Sequence, residues 1–318
     1  MAIGNYPATP FLFQRVQAFS SSGTFVHPDG YGSARPVYVI CIGAGGGGGS
    51  GAIYPSTSTT SIYATAGCGA GSGYVVAGMV SVSADTTVTI GTGGTGGAAV
   101  SSNASATVGN DGNVGGATLF GNLRAAGGNG GSNGGFGSAG RIQRAGGNGG
   151  SAGSRPVEYT PSSTAGALTG TDGQTLGQGT GFSATQAFLY AAGQNGGYLP
   201  SGGGATYAAT DSVSTLSISI NSIYIPGGGA MGGSNRNSTS AYNSTGGTGG
   251  TGFYGSGGNG GAGTHTLSTT ASTATAGSAG SGFGGGGGGG GAATATGAAT
   301  CTSGAGGAGA NGYVLVFY

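Results

Sequence analysis

The sequence predicts an all-β or irregular fold with essentially no α-helix: a bundle of polyglycine-II-type helices joined by variable loops. Three observations predict it. Glycine recurs in blocks from residue 43 to the end, at 43–49, 127–131, 146–150, 227–233, 246–250, 257–261, 284–291 and 304–312. The segments between them are rich in Ser, Thr, Ala and Tyr and hold most of the few charges. Three runs of β-forming residues, at 37–42, 74–90 and 313–318, lie beside glycine blocks.

The run 284–291, eight consecutive glycines, frames the argument. A helix is disfavoured because each Gly costs about 1 kcal/mol against Ala. A packed strand is disfavoured because Gly brings no side chain to pair. A flexible linker is the ordinary behaviour of one such run. The remaining conformation is the polyproline-II type, with three residues per turn and no internal hydrogen bonds. Ordering the backbone costs roughly 1–2 kcal/mol per residue, and glycine is the worst case. One run cannot offset that. Many short helices bonded backbone to backbone can, with glycine where neighbours touch, as at the collagen axis.

Composition bounds the rest. The chain has 318 residues with 84 Gly and 9 Pro, and the glycine blocks recur without a shift in composition, which reads as one domain. Only 4% of residues are charged and the net charge is +1, so no basic stripe for nucleic acid is present. No apolar run reaches the length of a membrane span. The start lacks the basic region and apolar core of a signal peptide, so synthesis in a cytoplasm is expected. Cys41, Cys68 and Cys301 form neither a metal spacing nor a CxxC pair. A disulfide among them is not implied, and buried thiols are the default. No cofactor is implied.

In chain order, residues 1–17 are the segment poorest in glycine. Phe11, Leu12 and Phe13 form an apolar knot, which is either a cap over the bundle's end or an attachment plug into a partner. Phe25 and Val26 suggest a short strand before the turn Pro28-Asp29-Gly30. The run 37–42 is a buried strand feeding the first glycine block. Residues 74–82 and 86–90 form a β pair around Ala84-Asp85. The apolar run 313–318 joins 37–42 and 74–90 in one small sheet. If each glycine block crosses the bundle once, connections alternate between its ends. Segments 50–66, 98–126 and 154–192 then share the pole away from the N-terminal strand, and 74–90 and 136–145 share the other. Beyond residue 193 the count is open, because 193–204 and 246–263 each fit one crossing or two.

The motif FSSSGTF at 19–25, the strand into polyglycine at 37–49, the stretch GSGYVVAGMVSVSADTTVTIGTGGTGG at 71–97 and the ending GAGANGYVLVFY at 307–318 occur in an order that resembles the glycine-rich domain of bacteriophage tail-fibre and receptor-binding proteins. The resemblance covers about 18–318. The alternation of glycine motifs with variable segments is similar to that of T-even-type distal fibre adhesins. It implies a polyglycine-II domain over 18–318 with distal loops, an attachment segment at 1–17, and a place at a fibre tip in the virion. The implied partners are a host outer-membrane protein or surface polysaccharide on one side and a tail-fibre or baseplate protein on the other. Residues 1–17 carry none of the family's motifs.

Under that expectation the receptor-binding candidates are Tyr54, Tyr63, Tyr159, Phe182, Phe188 and Tyr190 as aromatic anchors. Arg124, Arg155 and Glu158 are candidates for charged host groups, and Tyr207 and Tyr224 are weaker aromatic ones. Packing over the bundle's end is the competing role for each aromatic. A structural virion protein, a fibre shaft or capsid decoration, is the alternative function; long loops argue against it. An enzyme is not expected. Asp29 and Asp85 sit in turns, and Glu158 and Asp172 are the sole carboxylate pair sharing one loop, without the flanking geometry glycosidic cleavage needs. His27 and His265 are far apart with no neighbouring ligands. No G-x-S-x-G elbow precedes a helix.

Overall fold

The computed structural model describes residues 15–27, 34–56, 62–138, 226–230, 232–233, 235–236, 241–267, 270–297 and 299–318. Among these there is no helix; short strands cap both ends of a set of extended glycine-rich rods. Glycine explains the rods directly. With three residues per turn, successive N–H groups of one rod aim at three different neighbours.

The rod 43–53 makes the pattern explicit. Gly46 and Gly49 donate to the carbonyls of Gly71 and Cys68. Gly45 and Gly48 donate to Ala310 and Gly307, and Gly47 and Ser50 to Asn113 and Asn110. Its carbonyls accept with the same period: Gly45 and Gly48 from Gly94 and Gly97, Ala44 and Gly47 from Gly128 and Gly131, Gly46 and Gly49 from Gly287 and Gly290. The rod is thus enclosed by 65–73, 304–312, 107–116, 91–97, 127–135 and 284–292. The eight-glycine rod is enclosed the same way. It donates to 43–53, 274–280 and 226–233 and accepts from 65–73, 255–263 and 304–312. Every residue of both rods is buried.

Rods on the rim follow a looser rule. In 91–97, Gly91, Gly94 and Gly97 are buried while Thr92 and Thr95 are exposed. Side chains are accommodated there at the positions that turn outward. Short polar side chains also take up rim N–H groups. Asn311 Oδ1 accepts from Gly93 N at 2.9 Å, Asn259 Oδ1 from Gly249 N at 2.9 Å, and Asp111 Oδ1 from Asn133 N at 2.7 Å.

Within 43–135, and again within 226–312, each rod runs opposite to the one before it, as the bonding registers show. The connections therefore divide between two poles. At the pole where the first rod begins, one antiparallel sheet has the order Val16–Phe19, Tyr313–Phe317, Arg35–Ile42, Val75–Val82. The expected single sheet of the N-terminal, 74–90 and C-terminal runs forms for 37–42, 74–82 and 313–317 but not for 86–90. Thr86–Thr89 enters a second sheet instead, with Gly23–Phe25, Thr118–Phe120 and Leu123–Ala125. Gly121 (φ 54°) supplies the left-handed turn between the last two strands, a conformation that costs glycine nothing sterically. The two sheets enclose an apolar core of Phe25, Val37, Val39, Cys41, Val88, Phe120, Val314 and Val316. Phe25 packs at 5.6 Å from Phe120 and edge-on at 5.1 Å from Tyr318.

At the opposite, distal pole, Ile62–Ala64 lies between Phe136–Ser138 and Asn235–Arg236. A second sheet has the order Tyr242–Ser244, Gly263–Thr266, Ala293–Thr296, Ile53–Ser56. Its last three strands are mutually parallel, because each continues one of three rods that run in the same direction. A third joins Ser272–Thr273, Cys301–Thr302 and Ser101–Ser102.

Two expectations about the crossings are corrected. Segment 98–126 is not one distal connection, because 107–116 is itself a rod; Gly112 and Gly115 donate to Gly131 and Gly128. Its glycines are spaced every third residue, which suits a rim rod but does not read as a block. As a result 98–106 turns at the distal pole and 117–126 at the other, and 136–138 is distal, not proximal. The first described strand, Val16–Phe19, pairs Val16 and Gln17 with Phe317 and Val316. The open count at 246–263 resolves into two rods, 246–250 and 255–263, bonded antiparallel through Gly257 to Gly250 and Gly260 to Gly247. The stretch 193–204 lies outside the described residues.

A Cβ on Gly288 would overlap the backbone carbonyl of Asn259, and backbone has nowhere to yield. At Gly78, in an edge strand, a Cβ meets nothing within 4 Å. Gly288→Ala should therefore destabilise by at least about 3 kcal/mol, the upper range for overpacking. Gly78→Ala should be neutral or stabilise by up to ~1 kcal/mol. Thermal unfolding of the pair checks this; equal melting temperatures would contradict the enclosed-rod account. Asn311→Ala removes the acceptor of Gly93 N and should cost about 1 kcal/mol, measured by the shift in denaturant midpoint.

Candidate functional site

The distal pole is where sequence reasoning placed the receptor contacts, and its described residues can be taken one at a time. Tyr54 lies in Ile53–Ser56, directly after the central rod, with a half-buried ring against the cluster of Ala52, Ala64 and Ala292. Tyr63 lies in Ile62–Ala64, paired through its backbone with Gly137 and Arg236. Tyr54 and Tyr63 are thus on neighbouring strands of one pole. Arg124 is a correction: it is exposed in Leu123–Ala125, opposite Leu119, at the pole of the apolar sheets. The unrecognised rod 107–116 reversed the chain once more and carried it there. Arg155, Glu158, Tyr159, Phe182, Phe188, Tyr190, Tyr207 and Tyr224 lie outside the described residues, as do Phe11, Leu12 and Phe13.

The residue that sequence reasoning missed is Phe136. It is 38% exposed, and its ring centroid is 5.8 Å from that of Tyr54, with the planes inclined at 59°. The available signal was a lone aromatic directly after a glycine block, in GGFGS. The miscounted crossing assigned it to the wrong pole. Both rings are fixed by the rods rather than by their loops. Gly134 N donates to Ser50 O at 2.8 Å, Ala52 N to Thr65 O at 3.0 Å, and Thr65 N to Gly135 O at 2.7 Å. Thr65 Oγ1 adds a bond from Gly135 N at 2.8 Å.

Apart from the exposed Leu267, the other described distal residues are rich in hydroxyls. Ser101 Oγ and Thr302 Oγ1 share a bond of 2.9 Å, and Thr264 Oγ1 donates to Thr273 O at 3.0 Å. His265 is buried, its Nδ1 2.8 Å from Thr294 Oγ1. Asn235 is also buried; its amide donates to Ala292 O at 2.7 Å and its carbonyl accepts from Ser244 Oγ at 2.9 Å. These buried groups fasten strands together and do not face outward. Among the described residues no cluster of three His, Cys, Asp or Glu is arranged to hold a metal ion. Asp85 Oδ1 accepts from His27 N at 2.8 Å, a turn role like that of Asp111 on the rim.

The three cysteines are free and buried. Burial pushes the thiols of Cys41 and Cys301 up to about 12, partly opposed at Cys41 by a backbone hydrogen bond. No helix of the described residues is long and apolar enough to cross a membrane. No protein-family model matches the sequence, and no curated protein matches it.

The raised thiol values carry a sign. In the fold these thiols stay protonated above pH 9, whereas in the unfolded chain they ionise, so the unfolded state is favoured as pH rises. Stability should hold below about pH 9 and decline between about 9 and 12. Replacing Cys41 and Cys301 by Ala should flatten that decline in a pH series of denaturant midpoints. Native protein at pH 8 should also leave both thiols unmodified by a thiol-specific reagent until it is unfolded.

Proposed function

We propose that this chain is a bacteriophage receptor-binding protein, an adhesin of the tail-fibre tip that is carried on the virion and recognises a host outer-membrane protein or surface polysaccharide. The observation that carries the reading is the unlikeness of the two poles. One is closed by two apolar sheets into which the first described strand and the last are both woven. The other carries three small sheets with little apolar core and the turns between them, and its exposed surface holds Phe136 among many Ser and Thr residues. Loops presented by a rigid scaffold are the usual carriers of binding. The order of the sequence motifs points the same way.

The sheet pole suits attachment to a fibre or baseplate protein. On the outer face of its first sheet Met79, Tyr38, Phe317 and Val16 stand in one cross-strand row. Met79 is 53% and Val16 58% exposed, and the row holds no charge. Exposed apolar surface of this kind marks contact with another protein. No chemistry on a substrate is proposed.

The test uses particles and cells. Val16→Asp with Met79→Asp, both at exposed positions, should leave the melting temperature within a few degrees but reduce incorporation into particles at least tenfold. Purified wild-type protein should bind susceptible cells and block infection in competition. Normal incorporation with no binding to any susceptible cell would instead favour the structural virion protein.

A further inference from the structure

The ligand class at the distal pole can be inferred from the chemistry of its described residues, an inference that rests on the adhesin reading. Three features bear on it. The first is the Tyr54–Phe136 pair, two inclined rings 5.8 Å apart with Phe136 open to solvent. Their floor is small and apolar, formed by Ala52, Ala64 and Ala292. Their spacing is held by backbone bonds between the rods that carry them, from Gly134 to Ser50 and from Ala52 to Thr65. The pair is therefore preorganised, and little rotamer freedom remains to be lost on binding.

The second feature is a set of hydroxyls. Ser56 and its cross-strand partner Thr296 lie on the same face of their sheet as Tyr54 and are half-buried at its outer end, and further hydroxyls, Ser101, Ser102 and Thr302, lie in another sheet of the pole. A hydroxyl both donates and accepts, which matches a ligand whose own polar groups are hydroxyls. The third is the scarcity of charge among the described distal residues. The described distal segments contain no Asp, Glu or Lys, and their one Arg is Arg236. An anionic polymer would call for a set of guanidinium forks or ammonium groups.

We infer that the distal pole binds an uncharged glycan, with the apolar C–H face of a pyranose ring lying against Phe136 and Tyr54 and the sugar hydroxyls exchanging bonds with Ser56 and Thr296 on the same face. A sugar ring has an apolar face and a hydroxylic rim, and the two features of the pole answer them separately. Aromatic rings supply the apolar face with contact area at low entropic cost. Each hydrogen bond at the rim is modest, about 0.5–1.5 kcal/mol net. Affinity then comes from repeated units along a polymer engaging many protein copies.

The experiment measures binding of the purified full chain to an array of neutral gluco-, galacto- and manno-oligosaccharides beside polygalacturonate. In parallel it measures binding to susceptible cells treated with periodate or with protease. The expected result is binding to at least one neutral glycan and not to polygalacturonate. Cell binding should be lost after periodate and retained after protease. Phe136→Ala should weaken glycan binding at least tenfold with melting close to wild type, and Phe136→Tyr should restore it to within about threefold. Cell binding that survives periodate but not protease would overturn the glycan inference and leave the adhesin reading standing. So would binding confined to polygalacturonate, or wild-type affinity in Phe136→Ala. Failure to bind any susceptible cell would remove the adhesin reading itself.

Discussion

Everything in this protein depends on backbone groups of neighbouring rods meeting without an intervening Cβ. In the two enclosed rods a methyl group at almost any glycine would collide with a neighbour's carbonyl. The gain from that closeness is a dense set of N–H···O bonds, mostly 2.8–3.0 Å, running between rods rather than within them. Each bond contributes about 1 kcal/mol net, against roughly 1–2 kcal/mol to order each residue. Hydrogen bonding alone falls short of that cost, the more so because glycine has the most freedom to lose. The remainder comes from close dispersion contact between rods and from the apolar core between the two sheets at one pole.

The same constraint orders the rest of the chain. A rod with six neighbours needs glycine or a residue almost as small at each position, whereas a rim rod needs it only at those that face inward. That is why 284–291 is unbroken and 91–97 reads Gly-Thr-Gly-Gly-Thr-Gly-Gly. It is also why Asn and Asp recur on the rim, where a short side chain can reach a donor on the next rod. Antiparallel succession of rods then sends connections to alternate ends. The strands at each end inherit their directions from the rods they continue, which produces parallel neighbours at the distal pole without any crossover helix.

The candidate site shows the limits of reading such a lattice from one dimension. Tyr54 and Tyr63 sit at the pole expected of them, because they lie in the first connection, before any rod was missed. Arg124 and Phe136 do not, because their assignment depended on counting rods. The run 107–116 has glycine only at 109, 112, 115 and 116 and so escapes a search for blocks. Each missed rod exchanges the poles for all that follows until another miss restores them.

The sequence by itself determined the conformation of the rods, since only glycine at such density both excludes helix and permits contact on every side. It also determined the joining of 37–42, 74–82 and 313–317 in one sheet, because three apolar β-forming runs beside rod ends must bury one another. Tertiary structure decided which rods lie at the centre, how many crossings the chain makes among the described residues, and hence which side chains share a pole. Those outcomes rest on bonds between residues far apart in sequence, such as Gly46 with Gly287 and Gly93 with Asn311. Glycine has no side chain to distinguish one neighbour from another, so no local pattern specifies the partner; the packing of the whole bundle does.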